Sequence, residues 1–337
     1  MGSHCQTIWC EVELIMVHWK RLFCLYLLCS FVSFAHAQSY PTKVVKVIVP
    51  SGTSGTMDLL GREFALAFNT QLGKPFIVEN KAGAGGNIGM GILAHAPADG
   101  YTIGLGAANA LAANPFLYAS VPFDTLKDFA PIAFIGRMQF VLVAQQSVPA
   151  DNLKDLIALM KSKKMNFNFG SSGIGNTAHL FGELLKQRAG VEMEHIPFKS
   201  SGEAIQELVA GRIQLQFASP AEVMPHIKRG VLKPIAIAAG NRVESLPQTP
   251  TLSELGFPGF ESPTWFGILA PAGTPKEIIN LLNQEARVAT QQTSIKTRLA
   301  QAGVEPAYMT PDQFRSFIAE EMKRWESIVK QSGARLN

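Results

Sequence analysis

One pattern occurs twice in this chain and constrains its fold more than any other feature. The first copy has a β-branched run at residues 44–49, followed by a proline and a loop of Ser, Gly and Thr at 51–56. Apolar residues then recur at Leu60, Phe64 and Phe68, the spacing of a helix with one buried face. A continuous apolar run is typical of a strand buried on both sides of a parallel sheet. This copy therefore predicts a strand, a small-residue loop and a helix.

The second copy has an apolar segment at residues 167–169, a Gly/Ser-rich loop at 170–177 and a helical run from His179 to Arg188. Loops of this composition expose backbone N–H groups at the positive end of a helix dipole, which suits an anion. Two such loops, far apart in the chain, predict an α/β protein with two lobes that face one cleft. Each loop alone is also compatible with an ordinary tight turn, and the pairing favours a ligand site.

A secretory leader precedes the first strand. Lys20 and Arg21 stand before an apolar run at residues 22–34, and a small-x-small motif ends at Ala37. These features predict a signal peptide at 1–37, cleaved after Ala37, and export to the periplasm. The apolar run is too short to span a membrane. Met16 is a plausible true start, because the residues before it fit no part of a signal peptide.

Cysteine content and charge narrow the function classes. The four cysteines all precede the predicted cleavage site, at Cys5, Cys10, Cys24 and Cys29. The exported protein is therefore expected to have no disulfide and no thiolate metal site, so that its apolar core alone stabilises it. The formal net charge of +4 is spread without basic runs, which gives no support to nucleic-acid binding.

Residues for catalysis and cofactor binding form no complete motif. Both loops miss the Gly-x-Ser-x-Gly nucleophile elbow by one residue. The glycine-rich run at 83–89 has Ile88 where a dinucleotide fingerprint needs glycine. The histidines after the leader show no zinc-ligand spacing. We therefore expect no enzyme, no cofactor and no metal, while a hydrolase that uses Ser54 or Ser172 stays an alternative.

Candidate ligand-binding residues lie in the two loops and at the ends of other predicted strands. Ligands of open α/β sheets bind outside the carboxyl ends of the strands, which adds residues that follow the strands at 101–105 and 214–218. Asp58 is interpreted chiefly as a partner of N–H groups in the first helical turn. The predicted set is Ser51, Thr53, Ser54, Gly55, Thr56, Asp58, Asn109, Ser171, Ser172, Asn176, Thr177, His179, Lys199, Ser200 and Ser219.

Short motifs across the mature chain resemble one known family. They are Val49-Pro50 with Gly55 and Asp58, Glu79-Asn80 with Gly83–Gly89, Ala98-Asp99-Gly100-Tyr101-Thr102, Leu126–Pro131, Gly170-Ser171 with Gly173 and His179-Leu180, and Trp265-Phe266-Gly267 with Ala270–Pro275. In this order they resemble the Bug-type extracytoplasmic solute receptors of tripartite tricarboxylate transporters.

The resemblance implies a fold, a ligand class and partners. The fold is the two-lobed periplasmic binding fold, type II-like, in which each lobe is a sheet flanked by helices and the cleft lies between them. Lobe 1 is expected to comprise 38–144 and 246–337, and lobe 2 to comprise 145–245, with the first crossing around Gln145 to Ser147. The loops matching Ser51–Asp58 and Ser171–His179 would hold the carboxylate of a small organic acid. The receptor would be a monomer that serves integral membrane subunits.

Departures from the family pattern leave the ligand's identity open. Ser51 stands where an aromatic residue is usual, and Thr53-Ser54 replaces a small residue and a glycine. Ser200 and Ala218 stand where the family more often has a glycine and an acid or amide. A sensor that presents its ligand to a membrane signalling protein would need the same fold and the same closure, so sensor and transport receptor are not separated by the sequence.

Overall fold

The computed structural model describes residues 40–53, 55–261 and 264–336. The predicted signal peptide, all four cysteines and Ser54 lie outside these residues. The strands are β1 Val45–Val49, β2 Phe76–Asn80, β3 Thr102–Ala107, β4 Phe129–Met138, β5 Phe140–Gln145, β6 Asn168–Ser171, β7 Glu194–Pro197, β8 Leu215–Ala218, β9 Leu232–Ala238, β10 Thr264–Pro271 and β11 Val304–Pro306.

Helices connect most of these strands. They are α1 Thr56–Leu72, α2 Asn87–Ala94, α3 Asn114–Leu117, α4 Leu153–Lys161, α5 Thr177–Ala189, α6 Ser201–Val209, α7 Pro220–Lys228, α8 Lys276–Gln291, α9 Thr293–Gln301 and α10 Pro311–Ser332. In the part of the chain that the structure covers, none of these helices is both long and apolar enough to span a membrane.

The strands form two sheets within one compact unit that begins at Lys43. In the described residues the first sheet has the order β11-β4-β10-β3-β1-β2, and the second has the order β7-β6-β8-β5-β9. Strands β1, β2 and β3 run parallel, as do β6, β7 and β8, whereas β10 and β5 are antiparallel to their neighbours. The predicted α/β fold with two lobes, each built on a sheet flanked by helices, is confirmed.

Both copies of the repeated pattern fold as strand, loop and helix. In the first copy β1 leads into α1, whose Leu60, Phe64 and Phe68 are at most 1% exposed. In the second copy β6 leads into α5, where Leu180 and Leu184 are fully buried. Because β1 and β6 lie inside parallel segments, each loop emerges at the carboxyl end of its sheet, where ligands bind in this class of fold.

The chain first passes from one sheet to the other at Gln139, not around Gln145 as predicted. Strand β4 ends at Met138 in the first sheet, and β5 pairs with β8 and β9 in the second sheet from Phe140 onward. The sequence cannot show this, because both strands are apolar and differ only in their pairing partners. The extents of the two lobes as whole units stay a prediction.

An aromatic contact joins helices that flank different sheets. Trp325 of α10 stacks on Phe181 of α5, with ring centroids 6.1 Å apart and an angle of 10° between the planes. Phe181 also packs on Phe217 and Phe260 at 5.7 and 5.4 Å. The C-terminal helix therefore packs into the core and fixes one side of the helix that begins at the second loop.

Candidate functional site

A cleft of about 530 Å³ lies where the loops of the two sheets meet. Its walls come from β1–α1 and β3 on one side, and from β6–α5, β8 and the start of α6 on the other. Ten of the predicted residues line it: Ser51, Thr53, Gly55, Thr56, Asn109, Ser172, Asn176, Thr177, Lys199 and Ser200. The structure therefore brings together loops that are far apart in the sequence, although a binding role for each residue stays a prediction.

Three helices begin at this cleft and differ in how their first turns are capped. Helix α1 follows Gly55, and no side chain caps it. Helix α5 is capped by Asn176, whose Oδ1 accepts from the His179 N–H at 3.0 Å. Helix α6 is capped by Ser200, which accepts from the Glu203 N–H at 3.2 Å. Among the described residues no side chain caps the start of α1, so this helix start suits an anion.

The first loop is held in place by an amide behind it. Nδ2 of Asn80, at the end of β2, donates to the Ser51 carbonyl at 3.2 Å and to Oδ1 of Asp58 at 2.9 Å. Arg62 donates to the other oxygen of Asp58 at 3.0 Å, and this hydrogen bond raises the pKa of the Arg62 guanidinium. Asp58 is 5% exposed and does not line the cleft. In this position it supports the loop, and a direct role in binding stays a prediction.

The second loop closes around Ser171, which is fully buried. Its Oγ accepts from the N–H of Gly173 at 3.2 Å and lies 2.7 Å from Nε2 of His195. Gly173 has φ of 122°, a conformation that side chains strongly disfavour, and this turns the loop toward the cleft. Nδ2 of Asn176 donates to the Gly173 carbonyl at 2.6 Å and to Ser172 Oγ at 3.1 Å. Ser172 and Asn176 thus line the wall that Ser171 supports.

Two histidines whose rings contact each other lie under the second loop. The rings of His179 and His195 are 4.1 Å apart, and Nδ1 of His179 accepts from the Gly175 N–H at 3.1 Å. Burial lowers the pKa of His179, and burial together with the charges of His179 and Lys186 lowers the pKa of His195 to about 3. Both rings are therefore neutral at physiological pH. His179 supports the loop from below and does not line the cleft.

Ser219 also lies behind the cleft wall. It is fully buried, caps helix α7 and shares a reciprocal capping box with Glu222. Of the predicted residues that the structure describes, Asp58, Ser171, His179 and Ser219 do not line the cleft. Each forms at least one side-chain hydrogen bond with the backbone or with a neighbouring side chain.

The cleft also contains residues that sequence reasoning did not select. Gln216 and Phe217 of β8, Phe140 of β5, Phe266 of β10 and Glu222 of α7 all line it. The aromatic residues are mostly buried and are indistinguishable in sequence from core residues. The amide of Gln216 in an otherwise apolar strand was the one signal that could have been used.

The hydrolase alternative finds little support in the geometry. Ser171 and His195 are hydrogen-bonded, but Ser171 is 0% exposed and cannot reach a bound molecule. Ser172 is exposed, and its hydroxyl accepts from Asn176 instead of a histidine. Among the described residues, no three His, Cys, Asp or Glu side chains are grouped so that they could hold a metal ion.

Comparison with known proteins assigns the chain to a family. Residues 60–334 match the model of the tripartite tricarboxylate transporter family receptor. Protein BugT of Bordetella pertussis is 37% identical over 301 residues, which is 89% of this chain and 92% of BugT. These matches confirm the resemblance that the motifs indicated.

Two solved structures agree with this assignment. Rpa4515 of R. palustris, solved with adipate, superposes with a TM-score of 0.79 at 33% identity, over 88% of this chain and 100% of that one. MatC of Rhodopseudomonas palustris, solved with bound malate, superposes with a TM-score of 0.77 at 31% identity, over 86% and 100%. The chain belongs to the solute receptors of the tripartite tricarboxylate transporter family.

Proposed function

We propose that this receptor captures a small organic acid in the cleft through a carboxylate and delivers it to the integral membrane subunits of a transporter. The observation that carries the proposal is the start of helix α1. It opens into the cleft without a side-chain cap and faces the start of α5 across it. A carboxylate there would accept hydrogen bonds from the start of one helix and bridge the two lobes.

The binding energy would come from many small contributions. Neither loop contains Arg or Lys, and Lys199 at the cleft is exposed. A helix terminus contributes up to about 2 kcal/mol, and each hydrogen bond to a charged group about 1.5–3 kcal/mol. Several together reach the roughly 8 kcal/mol that micromolar affinity requires. Two relatives solved with adipate and malate support the choice of a carboxylate.

Calorimetry with small organic acids tests this proposal. We expect at least one short-chain carboxylate to bind with micromolar affinity and the matching neutral methyl ester or primary amide, which lacks any carboxylate, to bind at least about tenfold more weakly. Ester or amide binding equal to that of the acid would contradict the helix-dipole mechanism.

The same samples test for catalysis. We propose that the protein has no enzymatic activity, so a bound acid or ester should be recovered unchanged after prolonged incubation. Turnover of a tightly bound ligand that is lost in Ser172→Ala would overturn the receptor proposal in favour of the hydrolase.

Export and partners are the remaining parts of the proposal. We expect the periplasmic protein to begin at Gln38 after cleavage behind Ala37, and to be a monomer. Mass spectrometry of the exported protein checks the first point, and recovery of an intact leader from the periplasm would contradict it. Neighbouring genes distinguish the roles: multi-span membrane proteins favour transport, whereas a sensor kinase favours the signalling alternative.

A further inference from the structure

We infer that the end of the ligand opposite its carboxylate donates hydrogen bonds, as an ammonium, amide or hydroxyl group does, and is not a second carboxylate. This inference rests on the proposed function and names the ligand class. It comes from a second polar region of the cleft, here called the acceptor subsite and formed by Ser201, Gln216 and Glu222.

Gln216 supplies the first observation. It lies in the middle of the second sheet on β8, lines the cleft and is only 1% exposed. Its Nε2 donates weakly to the carbonyl and the Oγ of Ser201, at 3.4 and 3.3 Å. Its Oε1 is buried and has no hydrogen-bond partner among the described residues. Buried amide oxygens are normally paired, so this one requires a donor from elsewhere.

Turning the Gln216 amide over, so that its oxygen and nitrogen exchange places, does not supply the missing donor. The single hydroxyl hydrogen of Ser201 is directed to Oε2 of Glu222 at 3.1 Å, and the Ser201 carbonyl can only accept. With the amide turned over, its oxygen would face two acceptors. In either orientation Gln216 therefore lacks a donor, and a group that enters the cleft is positioned to supply one.

Glu222 supplies the second observation. Its Oε2 accepts from the hydroxyl and the N–H of Ser219 at 2.9 and 3.3 Å, in addition to Ser201. Among the described residues, its Oε1 accepts no hydrogen bond, and no Lys, Arg or His nitrogen lies within 4.0 Å of the carboxylate. This carboxylate lines the cleft. A second carboxylate on the ligand would meet a like charge here, whereas a donor would be attracted.

The helix start at this subsite is already capped, which separates it from the carboxylate end of the cleft. Ser200 accepts from the Glu203 N–H, and the Glu203 side chain accepts from the Lys199 N–H at 3.0 Å. The start of helix α6 therefore offers fewer backbone N–H donors to an anion than the start of α1 does. The cleft thus combines one uncapped helix start with a separate group of acceptors.

Matched ligands test the inference on the exported, processed chain. The probes are succinate, glutarate and adipate, each compared by calorimetry with its monoamide and with the ω-amino acid of the same chain length. We expect the best donor-ended acid to bind at least about tenfold tighter than its diacid, which corresponds to about 1.4 kcal/mol. Diacids that bind equally well or better would overturn the inference and leave the receptor proposal intact. Failure of every carboxylate to bind would overturn both.

Variants locate the effect. Gln216→Leu should reduce the preference for donor-ended acids over their diacids to less than about threefold, with pentanoate, which has no polar far end, as the reference ligand. Gln206→Leu, the same change on an exposed position of α6 outside the cleft, is the control and should keep the preference. Glu222→Gln retains the acceptor oxygen for Ser219 and should raise diacid affinity. An unchanged preference in both Gln216→Leu and Glu222→Gln would overturn the assignment to this subsite.

Discussion

The hydroxyl of Ser171 and Nε2 of His195 lie 2.7 Å apart and connect the second cleft loop to a buried pair of histidines. The ring of His195 contacts that of His179 at a tilt of 33°, and Nδ1 of His179 accepts from the N–H of Gly175 in the same loop. The shape of the loop thus depends on two imidazoles that must stay neutral. This arrangement makes the cleft sensitive to acid.

The first prediction concerns pH. The pKa of His195 is lowered from 6.5 to about 3, chiefly by burial, and that of His179 is lowered for the same reason. Because the unfolded chain binds these protons at higher pH, their contribution to stability is complete above pH 6.5 and is lost as the pH falls toward 3. We expect the melting temperature to fall over this interval. The fall should be smaller in His179→Gln, whose amide oxygen can still accept from the N–H of Gly175. An equal fall in melting temperature in the variant and the original protein would contradict this prediction.

The second prediction concerns Gly55, just before α1. Its φ and ψ of −96° and 173° suit any residue, and an added Cβ would meet nothing within 4 Å. Gly55→Val should therefore leave the melting temperature almost unchanged but weaken binding at least about tenfold, because the side chain would occupy the place of the ligand. Gly240→Val, also without contacts within 4 Å, is the control outside the cleft. Full affinity in Gly55→Val would exclude close approach of the ligand.

The third prediction concerns Gly173 in the second loop. Its φ of 122° disfavours any side chain, so Gly173→Val should lower both affinity and stability. Thermal melting with and without ligand separates the two effects. If this variant binds and melts like the original protein, the loop geometry is not required for binding.

The fourth prediction concerns Lys199. Because it is exposed, its charge is screened by solvent, and Lys199→Ala should weaken binding by about fivefold or less. Lys154→Ala, on the exposed surface of α4, serves as the control for the loss of one positive charge. Calorimetry at two salt concentrations measures both. If Lys199→Ala abolishes binding while the two glycine variants retain it, the helix-terminus mechanism is wrong.

The fifth prediction concerns Asp58 and its partner Asn80. Asp58→Ala removes the acceptor of the Asn80 amide, which also holds the Ser51 carbonyl, and should destabilise the protein by about 1–3 kcal/mol. Asp58→Asn retains an acceptor oxygen and should lose less. Denaturant unfolding and ligand titration measure the two effects. A full loss of affinity in Asp58→Asn at unchanged stability would instead indicate direct contact with the ligand.

Much of the site could be predicted because the residues of each loop are contiguous. The runs before and after Ser51 and Ser171 have strand and helix periods, and the intervening small residues are recognisable as loops that begin a helix. The sequence does not show which residues of each loop face outward. Ser171 and Ser172 are neighbours of the same type, yet one is fully buried and the other exposed, because only one of them has His195 behind it.

The sequence by itself determined the α/β class, the two loops and the helix starts, since these follow from the periods of neighbouring residues. Only the tertiary structure decided which sheet β5 joins and which side chains of β8 reach the cleft, since both depend on pairing between distant segments. Gln216 is the clearest case. In sequence it is one amide in a short strand, whereas in the fold it is a buried acceptor without a donor among the described residues, because its neighbour Ser201 comes from the helix that follows β7 and directs its hydroxyl to Glu222.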